Sequence, residues 1–465
     1  MEVRALAIAA TLALGACGRL GFGEIGGSDA ANGDASGGGD GPSTGIKGAR
    51  WLHNLGPAPN PPKVAGVGGE VVAAITFATS LATDGPTLTG VATSGSTGVI
   101  RYAADGTLEW SVVLDAQTWC DIRGISMRGT SVIGAGLTHG TSMPALGPCS
   151  VNTGRLAPVL LSVDATGQPQ LIAEFPSAGA NAQAWRATPL ADGSIAVSGV
   201  YGSGLTIGTA LPAAQFDPNG YVARVNDTVA TPVWATGLDA GFKVLGGPIA
   251  ADGVEVCAVG TMGGAATLFG QALPNVGGVD GWVARLDATG APKFVRGFGS
   301  TGNEPGGDNM GAAPTASGGC WVAMLAPGAV SIDAVSVPGT TGAVLLQFDA
   351  AGTAMTGARL AAETDLAIVG GRLYGAFTVS SSIMIGPDLV TPDGSDVVVV
   401  ELDATGPTHL VAQVGGAGTQ SAGRIAPAGP DVLAIGFSSA GALAFGTTTL
   451  DSGATTIQAV AAVGL

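Results

Sequence analysis

A short phrase recurs along the chain and limits what it can fold into. It reads hydrophobic-Asp-Ala-x-Gly, with a strand-like run on either side. It occurs as Val163-Asp164-Ala165-Thr166-Gly167, Leu286-Asp287-Ala288-Thr289-Gly290, Phe348-Asp349-Ala350-Ala351-Gly352 and Leu402-Asp403-Ala404-Thr405-Gly406. Weaker copies are Tyr102-Ala103-Ala104-Asp105-Gly106 and Val225-Asn226-Asp227-Thr228. The second positions of the six copies are spaced 61, 62, 61, 62 and 54 residues apart. So regular a register marks a repeat array in which one supersecondary unit is stacked on the next.

Each unit holds more than this turn. A glycine-bearing tight turn comes earlier, at Asp84-Gly85, Arg128-Gly129, Asp192-Gly193, Asp252-Gly253, Gly318-Gly319 and Gly370-Gly371. An apolar residue followed by Gly comes between, at Ile207-Gly208, Phe269-Gly270, Ile385-Gly386 and Phe445-Gly446. Glycine at such places supplies the positive φ of a hairpin turn. The run before each Asp-Ala turn is apolar, as in Tyr221-Val222-Ala223-Arg224-Val225, and the run after it carries Trp110, Trp234 or Phe294. Helical spacing is absent. Four short strands per ~60 residues, here called A to D outward from an axis, are the pattern of a propeller blade.

Strand C ends near 102, 163, 225, 286, 348, 402 and 463, which predicts seven blades over residues 49–465. Arg50 to Gly56 reads as a lone D strand, and Ile457 to Leu465 as a lone C strand. Their pairing would close the ring and remove free sheet edges. The expectation is therefore all-β: a seven-bladed β-propeller closed by its N- and C-terminal strands.

The phrase Asp280-Gly281-Trp282-Val283-Ala284-Arg285-Leu286-Asp287-Ala288-Thr289-Gly290 resembles the bacterial seven-bladed β-propeller repeat family, and the chain resembles cell-surface lipoproteins that carry such repeats. The resemblance covers residues 50–465 and implies the fold. It carries no catalytic residue with it. Ile332-Asp333 departs from the pattern by lacking the usual Gly, and the fifth-to-sixth spacing is short.

The N-terminus sets the expected compartment. Ala5 to Ala13 is an apolar run far short of the ~20 residues a spanning helix needs, and fits a signal-peptide core. It ends in Leu14-Gly15-Ala16-Cys17, which resembles the lipobox of bacterial lipoproteins. That resemblance implies removal of residues 1–16, acylation of Cys17 and, through Gly18, an outer-membrane destination. Residues 17–48 are rich in Gly, Ser, Ala and Asp and read as a flexible tether.

The net charge is −16, and the few basic residues are expected not to cluster, which excludes an electrostatic footprint for nucleic acid. Repulsion from anionic lipid leaves the anchor as the membrane attachment.

Chemistry-bearing residues are sparse. His53, His139 and His409 fall at non-equivalent positions in three units, against a zinc site or a Ser-His-Asp triad. Asp121, Asn181, Glu304, Asp308, Asn309, Glu363 and Asp365 are placed in D-to-A loops, where an acidic axial site could form. Cys120 is placed in a D-to-A loop and Cys149 in the following B-to-C loop, on one face, which predicts a Cys120–Cys149 disulfide in an oxidising compartment. Cys257 and Cys320 fall on B strands of successive blades, with a bridge and two buried thiols both open.

The function expected is a non-catalytic binding or scaffolding module at the outer membrane, monomeric, without cofactor or metal, taking a protein or glycan on its loop face. The rival classes are a lactonase- or sugar-lyase-type propeller enzyme and a structural envelope component.

Overall fold

A computed structural model describes residues 48–465, apart from 91–94, 115–118, 140–155, 178–181, 214–217, 227–230, 239–243, 306–309 and 447. The described residues are all-β, and no helix among them is long and apolar enough to cross a membrane. Cys17 and Cys149 lie outside the described residues.

After the first strand, Ala49–Gly56, the chain lays down antiparallel four-strand units in sequence order. Unit 1 is Lys63–Val67, Glu70–Phe77, Ser96–Tyr102 and Leu108–Leu114; unit 2 is Trp119–Arg128, Ser131–His139, Ala157–Val163 and Pro169–Glu174. Unit 3 is Gln183–Pro189, Ile195–Tyr201, Asn219–Val225 and Pro232–Leu238; unit 4 is Val244–Asp252, Glu255–Met262, Asp280–Leu286 and Pro292–Phe298. Unit 5 is Met310–Pro314, Cys320–Leu325, Ala343–Phe348 and Ala354–Leu360; unit 6 is Asp365–Val369, Arg372–Val379, Gly394–Asp403 and Gly406–Val414. The last three strands, Gly418–Gly429, Val432–Phe445 and Thr448–Gly464, take Ala49–Gly56 as their fourth, with Trp51 opposite Ala462 and His53 opposite Val460. A short parallel contact at Gly394–Gly418 joins units 6 and 7 into one eight-stranded sheet.

The third strands explain why the units must stack. Ser96–Tyr102, Ala157–Val163, Asn219–Val225 and Asp280–Leu286 are buried at every residue, so both of their faces are covered. Each hydrophobic cluster accordingly lies between consecutive units. Val72 and Val99 of unit 1 pack with Ile122 and Val163 of unit 2. Trp51, Val432 and Val460 of unit 7 pack with Val71 and Ile100 of unit 1. The first strand of each unit lies beside that of the next, and that of unit 7 beside that of unit 1.

The recurring turn acts as an inter-unit latch. The Asp164 carboxylate accepts from the Thr166 and Gln168 amides at 2.8 and 2.9 Å, and Asp287 does the same for Thr289 and Ala291 at 2.8 and 3.1 Å. This Asx geometry holds the following Gly at φ +83° and +81°. The fourth strand of the preceding unit then lays an aromatic ring on that glycine. Trp51, Trp110 and Trp234 donate Nε1–H to Ala104, Ala165 and Ala288 carbonyls at 3.1, 3.0 and 3.2 Å. A Cβ on Gly290 would stand 2.6 Å from the Trp234 ring. Gly193 has a similar φ of +85° and nothing within 4 Å. Gly193→Ala is therefore expected to lose about 1–2 kcal/mol, the backbone cost alone. Gly290→Ala should lose distinctly more, because the ring must also move. Urea-midpoint differences between the two variants check this; equal losses would dismiss the latch.

Buried arginines on the third strands reinforce it. Arg101, Arg224 and Arg285 donate across to the Thr130, Ala288 and Gly319 carbonyls of the next unit at 2.7, 2.5 and 3.4 Å. Each also pairs with an acid of its own unit: Glu70, Asp192 and Asp252.

Three placements differ from the sequence reading. Asp84-Gly85 tips a two-stranded ribbon, Ser80–Ala82 with Thr87–Thr89, while Gly68-Gly69 makes the first-to-second-strand turn of unit 1. Cys120 belongs to a strand, opposite Thr138, because the first strand of unit 2 runs ten residues into what reads as loop. Asp121 and Asp365 are likewise strand residues. The Asp333 departure is absorbed locally: Asp333 itself takes φ +51° at a ribbon tip, and its carboxylate accepts from the Ala354 amide at 2.8 Å.

Candidate functional site

The first strands converge on a channel, and their β-bulges decide what points into it. Register shifts fall between Ile122 and Gly124, Ala184 and Arg186, Gly246 and Ile249, and Ala422 and Arg424. A bulge leaves one residue out of the ladder and re-aims its neighbours. Arg123 is such a residue, and Arg186 and Arg424 flank two others.

Lys63, Arg123, Arg186 and Arg424 all line the channel. Four of the 18 basic residues of an acidic chain thus gather there, which corrects the expectation that they do not cluster. Linear spacing hides this, because the four come from four different units.

Asp121, Glu363 and Asp365 line the channel with them. Asp121 accepts from Thr76 Oγ1 at 2.8 Å and pairs with Arg123 Nε at 3.1 Å. Asp365 accepts from the Ile425 amide at 3.1 Å and faces Arg424 Nη1 at 3.6 Å. Arg186 Nη1 donates to the Arg123 carbonyl at 2.7 Å. Ser126 and Thr188 donate to the Ala187 and Ile249 carbonyls of the next unit, both at 2.9 Å, and so fix the spacing of neighbouring first strands.

The wall is two-sided. Units 1, 2, 3, 6 and 7 supply the charged side chains. Units 4 and 5 supply only Pro248–Ala251 and Ala312–Pro314, small apolar residues. One cavity of about 450 Å³ lies beside Asn60, Asp121, Arg123 and Glu363. A second of about 470 Å³ shares Lys63 and Arg424 with it and reaches Pro314 and Pro427. This arrangement suits a ligand with an apolar face and hydroxyl or carboxylate edges, within the size range of small-molecule sites.

The other candidates lie elsewhere. Glu304 is buried between units 4 and 5 and is not part of the channel lining. Asn181, Asp308 and Asn309 fall outside the described residues. His53 stacks on Tyr102 at 4.2 Å and bonds to Asp84 and the Gly106 carbonyl, clamping the first strand onto unit 1. His409 sits opposite Glu401 on unit 6, and the His139 backbone opposite Trp119 on unit 2. The structure does not bring the three histidines together. Among the described residues no group of three or more His, Cys, Asp or Glu side chains could hold a metal.

Cys257 and Cys320 are bonded, with a Cα separation of 6.0 Å, and staple the second strands of units 4 and 5. The alternative of two buried free thiols is thereby closed.

No family model matches the chain, and no curated protein matches it. Among solved structures, a luciferin-regenerating enzyme is similar over 89% of this chain and 95% of its own, at 9% identity and a TM-score of 0.35. A protein of unknown function from Bacteroides caccae is similar over 55% of this chain and 72% of its own, at 11% identity and a TM-score of 0.27.

Proposed function

We propose that residues 49–465 form a seven-bladed β-propeller, tethered to the outer membrane through a lipid on Cys17, that binds a ligand at its axial channel without transforming it. The ring reading is supported by the inter-unit clusters, which run from unit 1 round to unit 7 and back to unit 1. The anchor reading rests on Leu14-Gly15-Ala16-Cys17 and on resemblance to repeat-bearing surface lipoproteins. One observation carries the function: a channel mouth of about 450 Å³ lined by the Asp121–Arg123 ion pair and by Glu363. A charged mouth of this kind, leading to the neighbouring cavity walled on one side by apolar residues of units 4 and 5, fits the end of a glycan better than an extended protein surface.

The full chain in detergent, applied to a glycan array, should bind a restricted set of acidic or polyhydroxylated glycans. Arg123→Ala should weaken that binding at least about tenfold, the loss of one charge-assisted hydrogen bond. Cys17→Ser should abolish partition into the detergent phase. Turnover in a lactonase, lyase or hydrolase screen that Asp365→Asn removes would overturn the binding reading in favour of an enzyme. Wild-type detergent partition by Cys17→Ser would overturn the anchor.

A further inference from the structure

We propose that Asp280 and Glu304 hold one divalent cation of the Ca²⁺ class where the chain crosses from unit 4 to unit 5. Asp280 opens the third strand of unit 4 and is 0% exposed; Glu304 follows on the crossover and is 1% exposed. One oxygen of each is satisfied by backbone. Asp280 Oδ2 accepts from the Val276 and Gly277 amides, and Glu304 Oε1 from the Ser300 amide at 2.8 Å. The other two oxygens, Asp280 Oδ1 and Glu304 Oε2, are buried with no hydrogen-bond partner. No Lys, Arg or His among the described residues pairs with either carboxylate.

The two groups share one small region. Asp280 Oδ1 lies so close to Gly299 that a Cβ there would stand 2.2 Å away, and the next residue, Ser300, donates to Glu304. The Glu304 amide in turn donates to the Val279 carbonyl at 2.8 Å, beside Asp280. Two buried carboxylates without a counter-charge are strongly disfavoured as a charged pair. Burial raises the pKa of both, and the charge of Asp280 raises that of Glu304 further. A divalent cation neutralises both at once and fills both empty acceptors. The donors are all hard oxygens, with neither imidazole nor thiolate, which selects Ca²⁺ over zinc or copper.

The repeat supplies an internal comparison. Seven residues before the turn position, where unit 4 has Asp280, unit 1 has Ser96, unit 3 has Asn219 and unit 6 has Asp396, all buried. Units 1 and 3 satisfy the fold at this place with neutral residues, so the fold does not itself require a carboxylate there. Asp396 Oδ2 is served by the side-chain amide of Gln413; its Oδ1 is unpartnered as well, but the acid that acts on it, Asp393, is exposed where Glu304 is buried.

The test uses the full chain in detergent, with Ca²⁺ as the probe and Tb³⁺ luminescence as its spectroscopic stand-in. One ion per chain should bind, and saturating Ca²⁺ should raise the melting temperature by roughly 2–4 °C over the chelator-treated protein. Asp280→Asn, which copies unit 3, and Glu304→Gln should each fold and lose both the Tb³⁺ signal and the Ca²⁺ shift. Asp396→Asn should keep them. A wild-type chain that neither binds Tb³⁺ nor responds to Ca²⁺ would overturn the proposal. So would single variants that melt higher than wild type at neutral pH with no metal response, the mark of a carboxyl pair sharing a proton.

Discussion

A chain lacking residues 49–56 should lose its cooperative melt and be largely unfolded or aggregated at 37 °C, although it is complete in every other unit. The strand Ala49–Gly56 is the fourth strand of the last unit, and the rest of that unit is made some 360 residues later. It buries Trp51, Leu52 and Leu55, which at about 1.5–3 kcal/mol each account for several kcal/mol. It also carries the Trp51 bond to Ala104, the His53 stack on Tyr102 and the Arg50–Asp431 pair. Without it the strand Thr448–Gly464 has an open edge, and Val71 and Ile100 of unit 1 lose the face that covers them. A domain with a net stability of about 5–15 kcal/mol does not survive that combined loss. Trp51→Ala is the graded version and should lose about 3–5 kcal/mol. Thermal melts and size-exclusion chromatography distinguish the outcomes. A deletion variant that melts within a few degrees of wild type would mean that the terminal strand merely decorates the last unit.

What could be read from the sequence was what is decided locally. The Asp-Ala-x-Gly turn is legible because one carboxylate and one positive-φ glycine suffice to make it, and both recur in register. The tips at Phe269-Gly270 and Ile385-Gly386 are legible from their positive-φ glycines alone. The pairing of residues 50–55 with 457–463 followed from two incomplete ends and was found in register. The channel was half legible. Asp121, Glu363 and Asp365 were placed near the axis, but their cationic partners were not. Bulges at Ile122–Gly124 and Ala422–Arg424 break the two-residue alternation, so parity gives the wrong facing for Arg123 and Arg424. Cys120 reads as a loop residue because nothing in the sequence tells the ten-residue first strand of unit 2 from the five-residue Met310–Pro314. Asp280 and Glu304 stand 24 residues apart with no shared motif; only burial relates them.

Replacing both Cys257 and Cys320 with Ala should lower stability by about 4 kcal/mol, the largest loss expected from removing so few atoms. The bond spans 63 residues, and closing a loop of that length restricts the unfolded chain by about this amount in the chain-entropy account. The native side should change little. Both sulfurs are fully buried between second strands whose neighbours, Val259, Val322, Leu346 and Phe348, already pack across the same interface. Arg285 Nη1 lies 3.3 Å from Cys257 Sγ, and when the sulfur is gone the guanidinium keeps its Nη2 bond to Asp252 and its Nε bond to Glu255. The loss should therefore appear as a lower denaturation midpoint with an unchanged fold, and a reductant able to reach the bond should reproduce it in the wild type. Non-reducing peptide mapping must find Cys257 joined to Cys320, and the same map reads whether Cys120 is joined to Cys149. A map with 257 and 320 linked but no change of midpoint in the double variant would mean that the unfolded chain is already held compact between units 4 and 5. Free thiols at 257 and 320 in protein purified without reductant would instead remove the staple altogether.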